Sequence, residues 1–306
     1  MVIVADDLTG ACDAAAPFAA RGARCIVQFS TSCATDFSLS AITAFSTESR
    51  DLDEPEIHRR MEGIARAAGS VELIFKKIDS TLRGNVRAEI LAAMSAFNRR
   101  TAIITPSFPD MGRTVRNGYL HVDGQAPIHA GERIGMDILD AADNRDLARI
   151  VAENLDPPEP ILWAGSAGLA SALARKLYGE PRPLIPPSIG GPVVFCIGSD
   201  HPATVAQQRA LTGARILPIL RGQTSADEIR QGLRGAGAIF VTGGDTASLV
   251  LAAVGAQSIA IQHEVVTGVP WGVLSGGSFD GFPVVTKSGG FGAPDTLLRV
   301  AEFFTP

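Results

Sequence analysis

Four short polar stretches hold the residues best suited to chemistry, and each follows directly on an apolar run. The first is Asp6-Asp7, behind Met1-Val2-Ile3-Val4-Ala5. Two adjacent carboxylates repel unless a cation or hydrogen-bond donors stand near. The pair can accept from a hydroxyl-rich ligand, or serve phosphoryl transfer as a base or a holder of Mg²⁺. A plainer reading makes Asp7 or Thr9 the cap of the next helix. The second stretch is Lys77-Ile78-Asp79-Ser80-Thr81-Leu82-Arg83-Gly84, with Arg50 after a neighbouring run. Arg grips a carboxylate bidentately, Lys acts as a point charge, and Ser and Thr hydroxyls suit a polyol. The alternative is a charged loop that caps a helix.

The third and fourth stretches are rich in glycine. Thr242-Gly243-Gly244-Asp245-Thr246 follows Ile239-Phe240-Val241, and Lys287-Ser288-Gly289-Gly290-Phe291-Gly292 follows another strand-like run. Gly243, Gly244, Gly289 and Gly290 let backbone amides approach an anion, and a helix N-terminus favours it. Lys287 adds a charge, and Gly198-Ser199 is a weaker turn of the same kind. Ordinary turns are the alternative here. The Walker pattern, the dinucleotide fingerprint and the Gly-x-Ser-x-Gly elbow are all absent, which sets aside those NTPases, a dehydrogenase and a serine hydrolase.

These stretches need strands to carry them. Strand-length apolar runs alternate with helical patterns: Val2 to Ala5 then Ala11 to Ala20, Val71 to Phe75 then Asn85 to Phe97, Ile161 to Ala164 then Ser166 to Tyr178. The alternation predicts an α/β fold of two domains, each with a mostly parallel sheet flanked by helices. Ligands then bind beyond the carboxyl ends of the strands. Pro181-Arg182-Pro183-Leu184-Ile185-Pro186-Pro187 cannot continue a helix or join a central strand. It divides the chain into 1–185, expected to bind a hydroxylated anion, and 186–306, expected to bind phosphates. A hinge is expected between Pro181 and Pro192, with Arg83 and Gly244 facing each other across a cleft.

Hydrophobic residues make up 46% of the chain and charged residues 19%, a globular balance. A net charge of −5 without a basic run argues against nucleic acid as a partner. Neither a signal peptide nor a membrane span is read, which predicts a cytoplasmic protein. Cys12, Cys25, Cys33 and Cys196 form no CxxC pair and are expected as free thiols. The five histidines show no metal spacing.

Together the motifs resemble the four-carbon acid sugar kinase family over nearly the whole chain. Ala5-Asp6-Asp7-Leu8-Thr9-Gly10-Ala11-Cys12-Asp13 is similar to its opening signature, and Lys76 to Asn85 to its second. Pro106 to Gly118, Gly165 to Ala170, Gly198-Ser199, Thr242 to Thr246, Gly268-Val269-Pro270 and Lys287 to Gly292 follow in the family's order. The resemblance implies an ATP-dependent kinase of threonate, erythronate or 3-oxo-tetronate, working in a cleft between a sugar-acid domain and a nucleotide domain. It places Asp7, Arg50, Ser80, Thr81, Leu82 and Arg83 on the acid, beside Lys77, Asp79 and Gly84. Ser199, Gly243, Gly244, Asp245, Thr246 and Gly289 fall on the nucleotide, beside Lys287 and Gly290. Asp245, and then Asp7, is the expected carboxylate for Mg²⁺ or the proton, and a homodimer is expected. Family members run longer, with the extra residues expected after His129 and between Leu220 and Ser225. A non-catalytic sensor of a sugar acid or nucleotide is the alternative.

Overall fold

The computed structural model describes residues 1–29 and 42–305. Cys33 and Ala41, where a strand was expected to begin, lie outside the described residues. The first half runs β1 (Val2–Ala5), α1 (Leu8–Ala19), β2 (Cys25–Gln28), β3 (Ile42–Ser46), α2 (Glu54–Ala68), β4 (Ile74–Lys77), α3 (Val86–Ala96), β5 (Thr101–Thr105), β6 (Arg113–Arg116), β7 (Tyr119–Val122), β8 (Ile128–His129), α4 (Ala130–Ile134), α5 (Asn144–Asn154), β9 (Ile161–Gly165) and α6 (Ala167–Tyr178). The second half runs β10 (Val193–Ile197), α7 (Pro202–Ala210), β11 (Arg215–Pro218), α8 (Ala226–Gly232), β12 (Ala238–Thr242), α9 (Gly244–Ala253), β13 (Ser258–Val266), β14 (Val269–Ser275), β15 (Pro283–Lys287) and α10 (Thr296–Phe303).

The α/β expectation holds, with the two parallel strand sets joined in one 12-stranded sheet of order β11-β10-β12-β15-β14-β13-β2-β3-β1-β4-β9-β5. From β2 to β5 every pairing is parallel, as it is from β11 to β15. The hairpin β13–β14 bridges the sets, with β13 antiparallel to β2 from Ser258↔Gln28 to Ile261↔Cys25. The parallel strands read as near-continuous apolar runs because helices cover both faces. β6, β7 and β8 form a separate antiparallel sheet, in line with the expected hairpin at Asp123-Gly124.

Helix α1 is buried along its whole length and packs on α6 in the first half and on α9, β13, β14 and β15 in the second. Its run of alanines lets both halves close on it. One core cluster accordingly extends from Ile3, Ala11 and Phe75 to Val194, Val241 and Val284. The proline-rich segment after α6 holds no helix or strand, yet it is pinned down. Arg182 donates its amide to the Ala20 carbonyl at 2.7 Å, and its carbonyl meets His263 Nε2 at 3.1 Å.

β13 runs on from Ser258 to Val266, and the motif Gly268-Val269-Pro270 leads straight into β14, which begins at Val269. Pro270 stands opposite Glu264 beside a register shift, where a missing N–H is tolerated.

Candidate functional site

All four polar stretches end up at carboxyl ends of strands. Asp7 caps α1: its Oδ1 accepts from the Gly10 amide at 2.6 Å and from Thr9 Oγ1 at 3.2 Å. Arg50 resolves the repulsion between the paired carboxylates. Its Nη2 lies 2.7 Å from Asp6 Oδ2, 2.8 Å from Asp7 Oδ2 and 3.8 Å from Asp79 Oδ2. Burial pushes the Asp7 carboxyl up, Asp6 adds to that, and Arg50 opposes both. Burial also works against the Arg50 charge, but Asp7, Asp6 and Asp79 outweigh it and hold the guanidinium cationic.

The β4–α3 loop is tightly organised around Asp79. Its Oδ1 accepts from the Thr81 amide at 2.8 Å and Thr81 Oγ1 at 2.5 Å, and its Oδ2 takes Arg83 Nη2 at 2.6 Å. Burial alone would raise this carboxyl; the Arg83 bonds and charge reverse that and hold it below the usual carboxylate range. The Arg83 head stays half exposed, with donors left for a ligand. Ser80 is buried beside it, and Leu82 turns its side chain into the core with Ile78 and Val86, so it offers only backbone. Gly84 packs against Arg50, whose Cγ would lie 3.0 Å from an added Cβ. Lys77 is buried, and its Nζ donates to the Ile78 carbonyl at 2.9 Å.

In the second half the left-handed turn residue is Gly243, with φ at 93°. Gly244 is the first residue of α9, a helix that carries no side-chain cap, so its first-turn amides are open to an anion. Asp245 is exposed, with its Oδ2 2.7 Å from Arg221 Nη1, and Thr246 is buried behind the turn. Lys287, expected to face a ligand, is fully buried and ties the neighbouring turn from behind. Its Nζ donates to Thr204 Oγ1 and to the carbonyls of Ser288, Gly289 and Phe291 at 3.0–3.2 Å, and burial pushes its ammonium down to about 7. Thr204 and Gln207 draw further carbonyls of this turn inward. The amides of Gly289 and Gly290 donate to nothing. Ser199 and His201 pack directly against Gly289 and Gly290.

The two sets of turns meet. A Cβ on Gly244 would stand 2.9 Å from Asp7 Oδ2 and 3.0 Å from Asp7 Cβ. Beside this contact opens a cavity of about 440 Å³, lined by Asp6, Asp7 and Arg50 from one half and Ser199, Gly243 to Thr246 and Arg221 from the other. Burial and then the Arg83, Lys287 and Arg113 charges lower the His201 imidazole, so Arg83 also stands within electrostatic reach of the second half. Asp6 was read as one of the paired carboxylates and Arg113 lay in the Pro106 to Gly118 motif, but neither was given a site role; Glu48, Asp51, Asp200, Arg221 and His201 were not expected at the site. Arg113 lies over the Phe291 ring at 5.1 Å, with Nη2 3.4 Å from the Gly290 carbonyl. Of the unexpected residues only Asp200 had a signal, as it adjoins Ser199 at a strand end; the others depend on tertiary contacts.

A family model described as a sugar-binding N-terminal domain matches residues 1–133, and one described as a nucleotide-binding C-terminal domain matches residues 202–297. A D-threonate kinase of Bordetella bronchiseptica is 32% identical over 400 aligned positions, covering 98% of this chain and 96% of its own length. This chain of 306 residues therefore meets that relative with gaps. A D-erythronate kinase of Heliobacterium modesticaldum is 24% identical, covering 99% and 96%. Among solved structures, a Bordetella bronchiseptica protein crystallised as a domain-swapped dimer with bound citrate is 30% identical, with a TM-score of 0.51 over 99% of this chain and 97% of that one. A Haemophilus influenzae protein, 20% identical, shares the fold with a TM-score of 0.68 over 99% and 100%. Among the described residues no helix is long and apolar enough to cross a membrane.

Proposed function

We propose a substrate pair for this chain, which belongs to the four-carbon acid sugar kinase family and is a phosphotransferase acting on an alcohol group: ATP as donor, and threonate, erythronate or 3-oxo-tetronate as acceptor. The observation that carries this reading is the meeting of the two site halves, with Asp7 against Gly244 and one cavity lined from both sides. Residues 1–185 bind the acid, whose carboxylate meets the free donors of Arg83 while its hydroxyls meet Ser80 and its neighbours. Residues 186–306 bind the nucleotide, whose phosphates meet the open amides at the start of α9 and the unused amides of Gly289 and Gly290. Catalysis rests on positioning and on charge neutralisation.

Among the described residues no three metal-ligating side chains are grouped. That suits Mg²⁺, which keeps several waters and binds through phosphates with one or two carboxylates. Asp245 would hold it, and the cation would neutralise charge on the transferring group. The non-catalytic alternative is not favoured, since a sensor of one ligand has no need of both sets of turns. The swapped dimer of the Bordetella relative supports a homodimer for this chain, and cytoplasmic residence goes with such a substrate pair.

A screen of ATP consumption against a panel of four-carbon acids, with product phosphorylation followed by mass spectrometry, tests the reading. Turnover with one of the three acids is expected. Folded protein that consumes ATP with none of them would sink it.

A further inference from the structure

Among the described residues, Asp13 is the carboxylate near the cleft that is buried without a bonding partner. It sits in α1 at 3% exposure, its Oδ1 is a buried orphan, and among the described residues no hydrogen bond or ion pair reaches its carboxylate. The other carboxylates are committed. Asp7 has Oδ1 on the Gly10 amide and Oδ2 on Arg50, Asp79 is held by Thr81 and Arg83, and Asp6 shares Arg50. Asp245 is exposed and paired with Arg221. A buried, unsatisfied acceptor of this kind needs an explanation, and a ligand donor supplies one.

The surroundings suit that ligand. Lys77 crosses α1 at Gly10, its Cγ 3.6 Å from where a Cβ would stand, and Asp13 lies one turn further along the same face. Arg113 is also within charge reach of Asp13; among the described residues its Nε is likewise a buried donor without a partner, and its Nη2 reaches the Gly290 carbonyl, in the turn of Gly289 and Gly290. Asp13 is about 9 Å beyond Asp7 along the helix axis.

We infer that Asp13 is the catalytic base that takes the proton from the acceptor hydroxyl. The inference rests on the kinase reading above. The hydroxyl oxygen bonds to the γ-phosphorus as its proton passes to the Asp13 carboxylate. The bond from that phosphorus to the β–γ bridging oxygen breaks, leaving its electron pair on the nucleoside diphosphate, and Asp13 returns the proton to water. Burial pushes the Asp13 carboxyl up to about 6, against the pull of Lys77 and with the push of Asp7; Arg113 pulls it down, and Glu264 and Cys12 also face it. A base poised near neutrality transfers protons efficiently.

The test compares wild type, Asp13→Asn, Asp13→Glu and Asp245→Asn, with kcat measured from pH 5 to 9 and ligand affinities by calorimetry. Asp13→Asn is expected to lower kcat by about 10²–10⁴-fold. Both affinities should stay within roughly threefold, since a proton acceptor adds little to ground-state binding. The acidic limb of kcat should be missing from the residual rate, whereas Asp245→Asn should keep it. An Asp13→Asn enzyme with a near-wild-type kcat, or a slow one that retains the limb, would overturn the assignment. If Asp13→Asn does not fold, Asp13→Glu decides: a limb that neither moves nor weakens overturns it. Wild-type protein without turnover on any four-carbon acid would instead sink the substrate reading on which the inference stands.

Discussion

Gly244→Ala puts the contact between the two site halves to a direct test. The added methyl would stand 2.9 Å from Asp7 Oδ2, 3.0 Å from its Cβ and 3.1 Å from its Cγ. Asp7 has no room to yield, because its carboxylate is held at 2.6 Å by the Gly10 amide and at 2.8 Å by Arg50. Overpacking of this kind costs about 1–3 kcal/mol. If Asp7 swings away, α1 loses its cap, worth about 1 kcal/mol more. Since 1.4 kcal/mol is tenfold, a cost of this size falling on the liganded state would weaken binding by roughly 5- to 150-fold. In the free protein it would lower the melting temperature by about 2–4 °C per kcal/mol. The assay is a double-mutant cycle with Asp7→Ala, read by denaturant unfolding and by calorimetry with each ligand. Removing the carboxylate should relieve the contacts with Oδ2 and Cγ and leave that with Cβ, giving a coupling of about 1 kcal/mol. Gly63→Ala is the control: nothing lies within 4 Å of that helical position, and a gain of about 0.5–1 kcal/mol is expected. Additive effects within about 0.5 kcal/mol, with unchanged affinities, would refute the contact as a functional one.

Three further outcomes follow from the geometry. Arg83→Ala should raise KM for the acid by roughly 10- to 150-fold, from loss of a charged hydrogen bond worth about 1.5–3 kcal/mol, while KM for ATP stays put; steady-state kinetics would expose an unchanged acid KM and remove Arg83 from the site. Glu264 is raised to about 8, chiefly by burial, with the Gly268 amide opposing and Asp13 adding to it. Its neutral form is the one the fold favours, so its stability contribution is full at acid pH and is lost as pH climbs from the ordinary carboxylate range through 8; Glu264→Gln should flatten that slope in unfolding curves, and an unaltered slope would count against it. Lys76 and Glu89 form a buried pair at 2.5 Å. Lys76→Met should cost about 3–5 kcal/mol, much of it recovered by adding Glu89→Leu, and a mild single mutant would contradict the buried-charge reasoning.

Much of the scaffold was legible because local signals agreed. β1 and α1 followed from an apolar tetrapeptide, an Asp cap and an alanine run, and the same logic put all four polar stretches at strand ends. What escaped was set by partners distant in the chain. Lys287 looked like a ligand cation because a strand-end Lys usually faces outward; here the Thr204 hydroxyl and the carbonyls of Ser288, Gly289 and Phe291 draw it in. Both readings of Asp7 proved compatible, since one oxygen caps α1 while the other meets Arg50. Arg113 lay in a recognised motif but its role was hidden, because it acts where the start of β6 meets the turn at Gly290.

The antiparallel joint between β2 and β13 sets a condition on how this molecule can be taken apart. Among the described residues, four register pairs, Ser258↔Gln28 to Ile261↔Cys25, form the one ladder between strands of the first half and strands of the second. Cut the chain in the proline segment and each piece gains a raw sheet border, β2 on one and β13 on the other, together with a stripped side of α1. Such borders recruit whatever strand comes next. The fragments would be sticky rather than autonomous, and the cheapest remedy for each is the missing half of another copy. Mutual exchange of halves is thus a latent property of the architecture itself.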